Sequence, residues 1–180
     1  FNVAGTDLGI DLGALAGRQA EQRILVDSTT TVGGPTWPNG CHICEVEVDP
    51  DTGAVEIAAY ASVNDIGRVV SPQIVQGQVE GGAVQGIGQA LCEGIAYDDA
   101  GQLLSASFMD YALPHADGFR DFKTAFDTSI PCLTNPLGVK GVGELGTIGA
   151  TPSVVNAVAD ALARNGRAAK SSQLQMPMSP

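Results

Sequence analysis

The chain is short of charge. Asp, Glu, Lys and Arg make up 16% of its 180 residues, against roughly 25% in soluble domains, and aromatic residues only 5%. Nine scattered basic residues face twenty acidic ones, for a net charge of −11. Nucleic acids and anionic membranes are held by basic stripes, so neither is expected as a partner. No apolar run approaches the roughly 18 residues of a membrane span, and no charged-then-apolar leader is visible. The GxSxG elbow of a serine hydrolase and the P-loop are missing as well. His42 and His115 stand alone in the sequence and read as structural or solvated.

Cysteine is sparse: Cys41, Cys44, Cys92 and Cys132. Cys41 and Cys44 have CxxC spacing, but a structural zinc needs a second pair of ligands, which is missing, so no metal-ligand set is assigned. A thioredoxin-like site needs the motif to open a helix, whereas Glu45-Val46-Glu47-Val48 alternates as a strand does. Reduced thiols are the expectation, in keeping with a reducing cytoplasm.

Glycine, by contrast, is abundant, at 23 of 180 residues, nearly twice the usual share of about 7%. The 44% hydrophobic content supports a real core. Little charge and much glycine suit a piece of a larger assembly better than a free monomer.

The order of elements predicts an α+β class, with antiparallel hairpins and two main helices. A short helix is expected at 11–16. Residues 28–40 form a Thr/Gly/Pro-rich extended connection. Alternating residues on either side of Asp49-Pro50-Asp51-Thr52-Gly53 predict a hairpin. Ser71-Pro72 opens a helix to about Cys92. A second hairpin is expected around 98–101, then strands and loops over 105–137. Thr151 and Pro152 predict the cap and first position of a last helix that ends at Asn165-Gly166. The expected division is a lead-in over 1–33, a domain portion over 34–166 and a tail over 167–180.

Two segments carry glycine where it is unfavourable. The helix after Ser71 contains Gly77, Gly81, Gly82, Gly86 and Gly88, each about 1 kcal/mol worse than Ala in a helix interior. Gly77, Gly81 and Gly88 share a face with Gln85 among them, so the strip either packs closely on another helix or receives a ligand. The second segment, 138–149, presents Lys140 and Glu144 from a Gly-rich run. Gly141, Gly143 and Gly146 match GxGxxG, but the dinucleotide fingerprint needs its third Gly inside a helix and a later strand ending in an acid. With the helix expected only from Thr151, that reading is rejected. Glu144 is then either a surface acid paired with Lys140 or a general base poised by desolvation.

The stretch Asn135-Pro136-Leu137-Gly138-Val139-Lys140-Gly141-Val142-Gly143-Glu144, followed by Thr151-Pro152-Ser153-Val154-Val155-Asn156-Ala157-Val158, resembles the end of the large subunit of molybdenum hydroxylases of the xanthine dehydrogenase, aldehyde oxidase and carbon monoxide dehydrogenase family. Asp65-Ile66-Gly67, Gly77-Gln78-Val79-Glu80-Gly81-Gly82 and Gln85-Gly86-Ile87-Gly88 resemble it in the same order, from about Gly34 to Ala163. The resemblance implies an oxidoreductase that inserts water-derived oxygen into an electron-poor carbon, such as that of an aldehyde or an N-heterocycle. Glu144 would be the general base, and Gln85, Gly86, Lys140, Gly141, Val142 and Gly143 would bind the cofactor. That cofactor would be molybdenum–molybdopterin, in the cytosine dinucleotide form. The implied partners are the remainder of the large subunit, iron–sulfur and flavin subunits carrying 2Fe–2S clusters and FAD, and a small-molecule substrate. None of the four cysteines matches the copper-binding Cys of the carbon monoxide branch. The alternatives are a non-catalytic assembly fragment and a small CxxC metal-binding domain.

Overall fold

The computed structural model describes residues 1–119, 122–167 and 173–179, and divides the chain into two units, Phe1–Thr31 and Val32–Pro180. In the first, helix α1 (Leu12–Gly17) is capped by Asp11, whose carboxylate accepts from the Ala14 amide at 2.8 Å.

The second unit begins its sheet with the expected hairpin, β1 (Asn39–Val48) and β2 (Val55–Asp65). The Asp49 carboxylate accepts from the Asp51 and Thr52 amides, and Gly53 takes φ +79°, which closes the turn. β1 starts at Asn39, inside the stretch expected to be a connection, because it pairs with Asp65 at the far end of β2. A bulge at Glu45/Val46 shifts the register.

Helix α2 (Pro72–Leu91) follows, with Pro at its first position as expected. Strand β3 (Phe122–Asp127) then lies beside β2 in parallel, giving the order β1-β2-β3. The α+β class holds, but the sheet is mixed, since the crossover through α2 brings the chain back to run beside the second half of β2, as parallel pairing requires. The hairpin expected around 98–101 is reduced to a turn with one bridge, Tyr97 to Leu103.

Helix α3 (Leu145–Arg164) departs most from expectation, because it starts six residues before Thr151 and holds Pro152 inside it. Packing on α2 outweighs the local signals. The Thr147 and Thr151 hydroxyls, one turn apart, donate to the carbonyls of Gly82 and Gly86 at 2.9 and 3.2 Å. Thr151 is therefore a bridge to α2 rather than a cap. A Cβ at Gly86 would stand 2.9 Å from the Thr147 carbonyl oxygen, and one at Gly146 would run into the Val79 carbonyl oxygen. The close approach needs both hydrogens. Gly146 thus lies within a helix after all, which removes one ground for rejecting the dinucleotide fingerprint. The other stands: the loop enters from a single bridge at Val139, and no strand follows α3 among the described residues.

The core lies between the two helices and the inner sheet face, formed by Tyr60, Ala83, Ile87, Ala90, Ala150, Val154 and Val158. Ile43 and Val63 on the outer sheet face are more than half exposed.

Candidate active site

The two sequence segments marked by glycine meet in space. Asp65 ends β2, and its carboxylate takes the Lys140 ammonium at 2.5 Å and the Gly67 amide at 3.1 Å. The Ile66 carbonyl accepts from the Lys140 amide, and the Gly138 carbonyl accepts from both Arg68 and Cys132. Gly67 and Gly138 have φ +63° and +71°, and a Cβ on Gly67 would strike the Gly138 carbonyl oxygen. The Asn135 amide closes the loop from inside, with bonds to the Val139 carbonyl and amide. Asp65-Ile66-Gly67 is therefore the latch of the 135–144 loop. The Lys140 side chain is 8% exposed, and its bond is the foremost reason the Asp65 carboxyl lies below its ordinary range.

Lys140 is thus committed to Asp65, and the expected alternative of a Lys140–Glu144 pair does not form. Glu144 stands at the N-cap of α3, exposed and with no ion-pair partner among the described residues. The positive end of a 20-residue helix favours a carboxylate there. The desolvation expected around Glu144 is not supplied by this chain.

Glu144 lines a cleft of about 540 Å³. One wall is Gly141, Gly143, Glu144, Leu145, Ile148 and Gly149; the other is Thr36 to Gly40 with His42. The Thr36 hydroxyl accepts from the Gly141 amide at 3.1 Å and ties the two walls together. The structure thus brings Gly141, Gly143 and Glu144 into one cleft. Val142 is half-buried, and Gly86 is buried against α3, where it serves helix packing. Gln85 is exposed on α2, its Oε1 3.5 Å from the Thr147 hydroxyl, and does not line this cleft.

Sequence reasoning gave no separate role to Gln78 and read His42 as structural or solvated. Gln78 donates to the Gly143 carbonyl at 3.1 Å and links α2 directly to the loop. Its spacing of seven from Gln85, two helical turns, was a usable signal. His42 is not solitary: Nδ1 meets the Tyr60 hydroxyl at 2.6 Å and Nε2 meets Asn64 Oδ1 at 3.2 Å. Burial pushes the His42 imidazole below its ordinary value, and the Asn64 bond opposes this.

Cys41 and Cys44 sit three apart on β1, where side chains alternate, so they lie on opposite faces, one exposed and one half-buried. Burial pushes the Cys44 thiol up to about 11. No cluster of three or more His, Cys, Asp or Glu able to hold a metal occurs among the described residues, and no described helix is long and apolar enough to cross a membrane.

Residues 12–119 match the family model described as "Molybdopterin cofactor-binding domain". The chain is 46% identical over 132 residues to the nicotine 6-hydroxylase large subunit of Paenarthrobacter nicotinovorans, a match over 73% of this chain and 16% of that one. It is 35% identical to the 6-hydroxypseudooxynicotine dehydrogenase complex subunit gamma of the same organism, over 91% of this chain and 22% of that one. Among solved structures it is similar to the Cu,Mo-CO dehydrogenase in its carbon monoxide reduced state, with TM-score 0.71, 35% identity, and 79% and 17% of the two chains covered. The chain thus spans about a fifth or less of the length of these relatives. With the family model matched over more than half its residues, this chain belongs to the molybdopterin cofactor-binding domain family.

Proposed function

We propose that this chain forms one wall of the active site of a molybdenum-dependent hydroxylase, with Glu144 as the general base. The observation that carries the reading is the placement of Glu144. It stands at the N-cap position of α3 at the edge of a cleft, on a loop latched by the Asp65–Lys140 pair and tied to Thr36. A base must be held in register with the proton it removes, and such clamping serves that end.

The residues present fit the cofactor as a partial cradle. A Cβ on Gly143 would meet nothing within 4 Å, and one on Gly141 only the Thr36 hydroxyl at 3.9 Å, so this backbone is open to close approach by a ligand. Gln85 offers an exposed amide for the molybdopterin ligand, and Gly86 acts by letting α3 approach beside it. Lys140 and Val142 contribute through backbone, the Lys140 ammonium being engaged by Asp65. The molybdenum group, when bound, supplies the two-electron redox centre and the Lewis acid. Glu144 takes a proton within the cleft as the general base. Exclusion of water falls to segments beyond this chain, because Glu144 is exposed within it.

The assembly proposed is the remainder of a large subunit with iron–sulfur and flavin subunits, the cofactor in its cytosine dinucleotide form, in the cytoplasm. The names of the relatives, a large subunit and a complex subunit gamma, support a multi-subunit setting. The substrate class is an electron-poor carbon in a small molecule.

The test is Glu144→Gln in the complete enzyme. Gln keeps the shape and can still hydrogen-bond, but it accepts no proton at neutral pH. Turnover should fall by about 10² to 10⁴-fold with molybdenum content unchanged. A variant that keeps more than about a tenth of its turnover refutes the assignment.

A further inference from the structure

We propose that His42 is a positioning residue for Glu144, setting the height of the first turns of α3 above the sheet. The proposal rests on the reading of Glu144 as the base.

Four polar side chains form a chain on the inner sheet face. Asn64 donates through its amide nitrogen to the Ser62 hydroxyl at 3.1 Å, which turns its oxygen toward His42. His42 Nε2 therefore donates to Asn64 Oδ1 at 3.2 Å, and Nδ1 accepts the Tyr60 hydroxyl proton at 2.6 Å. Both ring nitrogens are engaged, which fixes the ring plane and a single neutral tautomer. Asn64 is 0% exposed and Tyr60 2%. Polar groups buried so completely are unfavourable unless every partner is supplied, and here each is. An apolar inner face would have packed the helices without this requirement.

The held ring bears on α3. A Cβ at Gly149 would stand 2.5 Å from three His42 ring atoms, so the helix backbone rests directly on the imidazole. One turn further along, the Ser153 hydroxyl donates to the Gly149 carbonyl at 2.7 Å and stands 3.2 Å from the His42 carbonyl oxygen. The ring thus meets α3 at Gly149, only five residues past Glu144, and His42 lines the same cleft. Loss of the ring lets the first turns of α3 sink toward β1, and the carboxylate at the cap moves with them. Oriented catalysis loses rate steeply with displacements of this kind.

The experiment uses the complete molybdenum enzyme with His42→Gln, which removes the ring, and Tyr60→Phe, which keeps the ring and frees its orientation. Steady-state kinetics, molybdenum content and amide hydrogen exchange along α3 are measured. For His42→Gln, kcat should fall about tenfold or more, with KM and molybdenum within about twofold of wild type. Amide exchange should accelerate at 145–149 and stay unchanged at 154–158. Tyr60→Phe should move both readouts the same way by a smaller amount, and it serves if His42→Gln does not fold. Unchanged kcat with faster exchange at 145–149 would overturn the proposal, as would exchange that accelerates evenly along α3. If Glu144→Gln retains turnover, the base reading fails on that result alone, while the exchange pattern still reports whether the ring holds α3.

Discussion

The same substitution at two glycines five residues apart on α2 should have opposite effects. At Gly81 a Cβ meets nothing within 4 Å. Gly81→Ala then recovers the helix propensity lost to glycine, about 1 kcal/mol, which is a rise of about 2–4 °C in the unfolding midpoint for a chain of this size. At Gly86 the same methyl would stand 2.9 Å from Ala150 Cβ and the Thr147 carbonyl oxygen, and 3.0 Å from the Thr151 hydroxyl. Overpacking of this kind costs about 1–3 kcal/mol, and the Thr151 bond to the Gly86 carbonyl, worth about 1 kcal/mol, is strained as well. After the propensity gain, Gly86→Ala should lose about 1–3 kcal/mol net. Thermal unfolding of the 180-residue chain, followed by circular dichroism, separates the two. A Gly86→Ala midpoint as high as that of Gly81→Ala would refute the close contact between α2 and α3. In the complete subunit the open strip at Gly77 and Gly81 supplies a second readout. If a ligand or another segment lies on it, Gly81→Ala lowers molybdenum content although it stabilises the isolated chain.

Cys41 and Cys44 should not share a metal, because they lie on opposite faces of β1; stoichiometric zinc that is lost together with folding in Cys44→Ser would contradict this. The isolated chain should retain no molybdenum cofactor, since the proposed cradle is one-sided within it, and near-stoichiometric molybdenum in the purified chain would refute that. Stability should fall with acid in two windows. His42 titrates lower in the folded state than its ordinary value of about 6.5, so unfolding gains protons as pH falls below that value and stability declines. Asp65, held low chiefly by Lys140, contributes stability above the ordinary carboxylate value of about 3.9, lost as pH falls further toward its depressed value. Unfolding midpoints measured against pH should show both declines, and His42→Gln should flatten the upper one.

Local chemistry was enough for the elements whose signals lie within a few residues. The Asp49-to-Gly53 turn, flanked by alternation, specifies the β1–β2 hairpin, because an Asx turn and a positive-φ glycine are local events. Ser71-Pro72 marks the start of α2 for the same reason. The linear motifs around Gln85 and Glu144 carry the resemblance, and the matched domain, residues 12–119, contains the first of them. Tertiary contacts decided the rest. Helix α3 begins at Leu145 because Gly146 and Thr147 gain contacts with Val79, Gly82 and Ala83 that no local cap outweighs. Strand β3 is parallel because the route through α2 brings the chain back to run beside β2 from Tyr60 to Asp65. Lys140 belongs to Asp65, 75 residues away, rather than to the nearby Glu144. The glycines of α2 divide into a packed set, Gly82, Gly86 and Gly88, and an open pair, Gly77 and Gly81. Helical spacing says which residues share a face; what that face meets is a property of the folded chain.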